Sequence, residues 1–89
     1  MSITNPRGET FTVDEVLTIV RGAFRPFDCR AHSKGLGREI ETDLSDGTAS
    51  FFRQSVTLSL VQTDYNLRTY ILGARRTGED KGAKLDPWP

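Results

Sequence analysis

The chain has 89 residues, with 12 basic and 12 acidic side chains that cancel to a formal net charge of zero. A chain of this length is expected to fold as one domain that buries only about 60–65% of the surface exposed when it is unfolded. The charge balance gives no overall attraction to nucleic acid or anionic lipid. The single cysteine, Cys29, excludes an intrachain disulfide and fits a reducing compartment.

The amino-terminal segment, residues 1–10, is polar and is predicted to be flexible. It lacks the apolar centre of a signal peptide. No run in the chain approaches the roughly 20 apolar residues of a membrane span. We therefore expect a cytoplasmic protein that does not enter a membrane.

A first helix is predicted over residues 13–24. Thr12 and Glu15 have the spacing of a capping box, in which each side chain bonds to the backbone amide of the other residue. Pro26 ends the helix, because a residue that precedes proline is disfavoured in the helical region. The apolar residues recur at steps of three and four on one helical face: Val13, Val16, Leu17, Val20 and Phe24.

Two short strands follow, because the apolar spacing changes to two after Pro26. Residues 35–37 (Gly-Leu-Gly) provide the turn between them, and Asp46-Gly47 after the second strand is a strong hairpin signal. The residues assigned to the apolar face are Phe27, Cys29 and Ala31 in the first strand and Ile40, Thr42 and Leu44 in the second.

A third strand is predicted over roughly residues 48–56, with a less regular pattern. The neighbours Phe51 and Phe52 must point to opposite faces of a regular strand. With Phe52 and Val56 assigned to the core, Phe51 is expected on the open face of the sheet.

The remaining chain is predicted to form a turn near residues 57–61 and a second helix over residues 63–77. Thr63 is its candidate cap, and Arg75 and Arg76 near its end would complement the helix dipole. After it, the polar tail of residues 78–89 is rich in Gly and Pro and is expected to be disordered.

These elements predict a single α+β domain over residues 11–77. Its fold class is a three-stranded antiparallel meander with two helices packed on one face, in the order α-β-β-β-α. Such a sheet covers its apolar face with the helices and leaves its polar face open.

No catalytic, cofactor or metal site is predicted. His32 is the only histidine, and although Glu39, Glu41 or Asp43 could orient it, nothing marks a nucleophile beside it. Cys29, on the apolar face, is expected to act as a small buried hydrophobic residue. One Cys and one His on opposite faces of a strand cannot close a metal site.

Nucleic-acid binding is a second interpretation, because double-stranded-RNA-binding domains share this order of elements. Four basic residues could line the open face beside Phe51, a candidate platform for base stacking. Acidic residues on the middle strand disfavour nucleic-acid binding, since they would repel phosphate and pair with the basic side chains. The basic residues are Arg30, His32, Arg38 and Arg53, and the acidic ones are Glu39, Glu41 and Asp43.

The favoured interpretation is a non-enzymatic binding or regulatory module with a protein partner. A homodimer is the structural alternative, in which Phe51 and Leu36 on the uncovered face would be buried against a second copy. Trp88 in the tail is either a recognition anchor, a cover over an apolar patch, or without a role. The candidate interaction surface consists of Arg30, His32, Arg38, Phe51, Arg53 and Trp88.

Two stretches resemble small uncharacterised proteobacterial domains of unknown function. Residues 14–31 (DEVLTIVRGAFRPFDCRA) are similar to the opening of that family, with Phe24, Pro26 and Cys29 as its marks. Residues 66–76 (NLRTYILGARR) are similar to its final helix. The resemblance implies a helix, three strands and a helix, and it implies no activity.

Overall fold

The computed structural model describes residues 10–46, 48 and 50–88. Three strands form one antiparallel sheet in the order β1-β2-β3. One helix precedes the strands in the sequence and one follows them. The predicted α+β meander is therefore confirmed. The elements are α1 (Val13–Gly22), β1 (Asp28–Lys34), β2 (Glu39–Ser45), β3 (Ser50–Thr57), a 3-10 turn (Leu58–Leu60) and α2 (Asp64–Asp80).

Two sequence predictions fall on undescribed residues. The flexible segment 1–10 lies outside the described part except for its last residue, and Gly47 of the predicted hairpin turn also lies outside it. Beside that turn, a carboxylate oxygen of Asp46 accepts hydrogen bonds from the amide and the hydroxyl of Thr48, both at 2.8 Å.

Helix α1 begins at the predicted capping box. The Glu15 amide donates to the Thr12 hydroxyl at 3.2 Å, and the Thr12 amide donates to the Glu15 carboxylate at 2.9 Å. The helix ends at Gly22, two residues earlier than predicted. Phe24 is fully buried although it lies beyond the helix, so its burial comes from the turn that leads to β1.

The core lies between the helices and one face of the sheet. In the strand register Leu44 is opposite both Cys29 and Phe52, and Ile40 is opposite Val56. These residues lie on the face that the sequence pattern assigned to the core. The fully buried large side chains include Val16 and Val20 of α1, Ile40 and Leu44 of β2, and Leu67 and Ile71 of α2.

A β-bulge changes the position predicted for Phe51. Leu44 pairs with Phe52 whereas Ser45 pairs with Ser50, so Phe51 is the extra residue. A bulge re-aims the side chain that it carries. The Phe51 ring is half-buried and packs edge-to-face on Phe27 with 5.2 Å between the ring centroids. The prediction of an exposed aromatic platform at Phe51 was therefore wrong.

Helix α2 is capped as predicted but is longer than predicted. The Thr63 hydroxyl accepts from the Asn66 amide at 3.3 Å, and the helix continues through Gly78 to Asp80. Gly78 is buried against the sheet, where an added Cβ would lie 3.1 Å from Cδ2 of Leu44. The described helices offer no apolar stretch long enough to cross a membrane.

The end of α2 is a Schellman motif. Gly82 has φ +102°, a conformation that glycine adopts without steric penalty. The Ala83 amide donates to the Gly78 carbonyl at 3.0 Å, and the Gly82 amide donates to the Glu79 carbonyl at 3.0 Å. This motif turns the chain back toward the core.

Residues 81–88 of the tail, for which the sequence predicted disorder, lie against the core in the structure. Ala83 is buried, and both Leu85 and Trp88 pack against the core. The Asp86 amide donates to the Arg25 carbonyl at 2.8 Å. Of the three interpretations of Trp88, the structure agrees with a side chain that folds back over apolar surface.

Candidate interaction surfaces

The open face of the sheet carries paired charges. The Glu41 carboxylate lies 3.2 Å from Lys34 Nζ and 3.5 Å from His32 Nε2. The Asp43 carboxylate lies 3.4 Å from Arg53 Nη2. Exposed pairs of this kind contribute only about 0–1 kcal/mol to stability. Their main effect here is to compensate the basic side chains that a polyanion would need.

The six residues predicted as an interaction surface do not form one site. Arg30, His32 and Arg53 share the open face, and Arg30 is exposed opposite Asp43 in the register. Arg38 is exposed at the end of the β1–β2 turn. The other two members, Phe51 and Trp88, pack against the core as described above.

The tip of the β1–β2 turn exposes an apolar side chain. Leu36 is 99% exposed and has φ +60°, between two glycines that also have positive φ. A leucine in this region is strained by about 1–2 kcal/mol. The sequence alternative of a homodimer included Leu36, and the structure leaves this residue at the turn rather than on the sheet face.

A cleft of about 390 Å³ separates the end of α1 from the tail, with Arg75 and Trp88 in its wall. Arg75 is buried, and its guanidinium donates to the backbone carbonyls of Ala23 and Asp86. Its charge lies at the carboxyl end of α1, where a cation is favourable. The prediction that Arg75 would complement its own helix dipole was wrong, because α2 runs past it and the side chain reaches a different helix.

The hydrogen-bond pattern decides which peptide groups point out of the sheet. The Leu58 amide donates to the Arg38 carbonyl at 2.7 Å, one step beyond the Glu39–Thr57 pair. Opposed residues in an antiparallel ladder alternate between bonded and non-bonded pairs. Thr42 and Gln54 therefore form a bonded pair, and the peptide groups of Arg53, Ser55 and Thr57 point away from β2.

The edge of β1 is partly covered. By the same alternation the peptide group of Ala31 points away from β2, and its carbonyl meets the side chain of Arg21. The Arg21 guanidinium donates to this oxygen from Nε at 3.1 Å and from Nη2 at 2.6 Å. The Arg21 side chain of α1 thus occupies the middle of this edge.

In the part of the chain that the structure describes, the outer edge of β3 is open. Within the described ranges, no hydrogen bond involves the outward amide or carbonyl of Arg53, Ser55 or Thr57. All three side chains are exposed. Unpaired edge strands are templates for pairing with another chain, and native proteins often protect them with proline, lysine or a cover. Strand β3 contains neither proline nor lysine. This open edge was not predicted, and the composition of β3 was its one visible signal in the sequence.

Two titratable groups on the core side have shifted pKa values. Burial, with a smaller contribution from Asp43, raises the pKa of the Cys29 thiol to about 12, while Arg21 acts in the opposite direction. Burial also raises the pKa of Tyr70, against a hydrogen bond to Thr42 that lowers it. Cys29 is therefore a neutral thiol near pH 7, which is the unreactive form.

Among the residues that the structure describes, no three His, Cys, Asp or Glu side chains are grouped so that they could hold an ion. The sole histidine, His32, instead lies beside Glu41 on the open face.

Comparisons of this chain with protein-family models, with curated proteins and with solved structures find no match. The resemblance of residues 14–31 and 66–76 to small proteobacterial domains therefore stays a prediction.

Proposed function

We propose that this protein is a small non-enzymatic binding module that takes up a strand of a protein partner at the outer edge of β3. The open peptide groups of Arg53 and Ser55 on that edge carry the proposal. An added strand would satisfy these groups with main-chain hydrogen bonds, which is the basis of recognition by strand addition. The opposite edge is less suitable, because Arg21 occupies the Ala31 carbonyl at its middle.

A protein partner is favoured over nucleic acid by the charges of the open face. Binding to nucleic acid draws on Lys and Arg side chains that neutralise phosphates. Here Lys34 and Arg53 are paired with acidic residues, and the Phe51 ring packs on Phe27. A reducing, cytoplasmic setting is part of the proposal, because the chain has a single cysteine.

A proline at position 55 tests the proposal. Ser55→Pro removes the outward amide, and an edge strand accepts proline where its amide takes no part in the ladder. Ser55→Ala is the matched control, because it alters the same side chain and keeps the amide. Both variants and the unmodified chain are immobilised and exposed to native lysate. Proteins held by the unmodified chain and by Ser55→Ala should be lost with Ser55→Pro.

Circular dichroism establishes that each captured variant is folded. Retention of the same proteins by a folded Ser55→Pro variant would contradict the proposal. A mobility shift with nucleic acid at low salt, weakening steeply as salt is added, would favour the alternative interpretation instead.

A further inference from the structure

We infer that the strand taken up by the β3 edge is β3 of a second copy of this chain, paired antiparallel about a two-fold axis at Gln54. This inference rests on the proposed function of the edge and names its occupant. It differs from the homodimer considered from sequence, in which the open face was the contact. Here the two three-stranded sheets would join edge to edge.

The direction of the peptide groups limits the registers. Two edges can exchange hydrogen bonds only between residues whose peptide groups both point outward, which are Arg53, Ser55 and Thr57. An antiparallel two-fold pairing of β3 with itself can then be centred on any residue from 53 to 57, but centres at Val56 and Thr57 overlap at most residues 55–57. The registers with a longer overlap are those centred on Arg53, Gln54 and Ser55. Each centre places a different set of side chains opposite one another.

A centre at Arg53 is unfavourable, because it places two guanidinium groups directly opposite each other. A centre at Ser55 overlaps only residues 53–57 of the two strands. It also places the amide of Gln54 against the apolar side chain of Val56. Both of these registers therefore lose either charge compatibility or matched contacts.

A centre at Gln54 avoids both problems. Arg53 is then opposite Ser55 of the second copy, twice, and the overlap extends over residues 51–57. On the core side Gln54 meets its own copy, where each amide offers both donors and an acceptor. Phe52 meets Val56 twice, which joins apolar residues at the margins of the two cores.

A small domain benefits from such a contact. Pairing buries the edge that the monomer exposes, and each copy has a formal net charge of zero, so no overall repulsion opposes association. An interface with two-fold symmetry closes after two copies and does not continue into a fibre.

Sedimentation tests the dimer. The unmodified chain should sediment as a dimer at high micromolar concentration, and Ser55→Ala should do the same. Ser55→Pro removes one amide from each of the two Arg53–Ser55 pairs, so its dissociation constant should rise by about tenfold or more. A monomer throughout this range for the unmodified chain overturns the inference, and so does a dimer that Ser55→Pro does not weaken.

Cross-linking tests the register. Single cysteines are placed at positions 53, 54 and 55 as Arg53→Cys, Gln54→Cys and Ser55→Cys, each with Cys29→Ala to remove the native thiol. Residues of a non-bonded antiparallel pair have Cα atoms about 4.5 Å apart, within disulfide range. Under mild oxidation Gln54→Cys should form the covalent dimer fastest. Fastest dimerisation by Ser55→Cys or Arg53→Cys would overturn the register.

The two proposals fail separately. If the unmodified chain is a monomer but proteins captured from lysate are lost with Ser55→Pro, the second copy is wrong and the binding edge stands. If Ser55→Pro changes neither sedimentation nor capture, the edge itself is wrong.

Discussion

The hydroxyl oxygens of Thr42 and Tyr70 lie 3.0 Å apart and join the middle strand of the sheet to α2. Thr42 is fully buried in the core face of β2, where apolar residues flank it along the strand. A buried hydroxyl needs a hydrogen-bond partner, since an unsatisfied one costs stability. Tyr70 supplies that partner and thereby fixes the position of α2 over the centre of the sheet.

Removing one partner of this pair should cost more than removing both. Tyr70→Phe leaves the Thr42 hydroxyl buried without a partner and should lower the free energy of unfolding by about 1–3 kcal/mol. Adding Thr42→Val to that variant should recover part of the loss, because no unsatisfied hydroxyl remains. Urea unfolding of the unmodified chain, the two single variants and the double variant measures the coupling energy between the two hydroxyls. Purely additive losses would show that the two hydroxyls do not interact.

Arg75 is predicted to hold the tail and the end of α1 together. Arg75→Met removes the hydrogen bonds to the Ala23 and Asp86 carbonyls and should lower the free energy of unfolding by about 2–3 kcal/mol. Arg76→Met is the matched control, because Arg76 is exposed on the same helix, and it should change stability by less than about 0.5 kcal/mol. Urea unfolding of both variants gives the comparison.

Trp88, the only tryptophan in the chain, reports on the same contact. Its ring packs against the core in the native protein. When Arg75→Met releases the tail, the native-state emission of Trp88 should shift to longer wavelength and acrylamide should quench it more strongly. Unchanged emission together with an equal stability loss in Arg76→Met would contradict the proposed role of Arg75.

Two glycines of α2 should respond differently to substitution by alanine. Gly73 has no atom within 4 Å of an added Cβ, so Gly73→Ala should stabilise the protein by about 0.5–1 kcal/mol through helix propensity. At Gly78 the added Cβ would lie 3.1 Å from Cδ2 of Leu44, a fully buried side chain. Overpacking costs about 1–3 kcal/mol, so Gly78→Ala should be neutral or destabilising. Thermal unfolding distinguishes them, and equal stabilisation by both would mean that α2 lies farther from the sheet.

The buried thiol of Cys29 should make the folded protein less stable at high pH. Its pKa is raised from 9.0 to about 12 on folding, so the folded state favours the neutral thiol. This contribution is fully present below pH 9 and is lost as pH rises from 9 toward about 12. Cys29→Ala removes it, whereas the titration of Tyr70 remains in both proteins and changes only by the loss of the smallest cause of its raised pKa, the charge of Cys29.

Urea unfolding at about pH 8 and at about pH 10.5 checks this sign. The stability difference between the unmodified chain and Cys29→Ala should become less favourable to the unmodified chain at the higher pH. A difference that does not vary with pH would mean that the Cys29 thiol is more accessible to water than the structure indicates.

Local signals in the sequence predicted most of the fold. The capping box at Thr12 and the cap at Thr63 act within three residues, and the alternation of Ile40 and Leu44 with polar neighbours belongs to one strand. Such interactions depend only on residues that are close together in the chain, so they can be predicted from the sequence. They correctly assigned the helices, the strands and the buried face of the sheet.

The candidate site depended on residues far apart in the chain. Phe51 was assigned by simple alternation, and only the pairing of β3 with β2 introduces the bulge that moves it. The open edge of β3 follows from the cover that Arg21 gives β1 and from the absence of any described cover on the other side. Apart from the absence of proline and lysine, no pattern within residues 50–57 indicates what lies beside them.

The sequence by itself determined the order of the helices and strands and the buried face of each one. These features follow from periodicity and capping, which are properties of short segments. Only the tertiary structure decided which carbonyls Arg75 donates to, whether the tail packs against the core, and which edge of the sheet stays open. Those outcomes depend on contacts such as that between Arg75 and Ala23, 52 residues apart, which form only when the whole chain has packed.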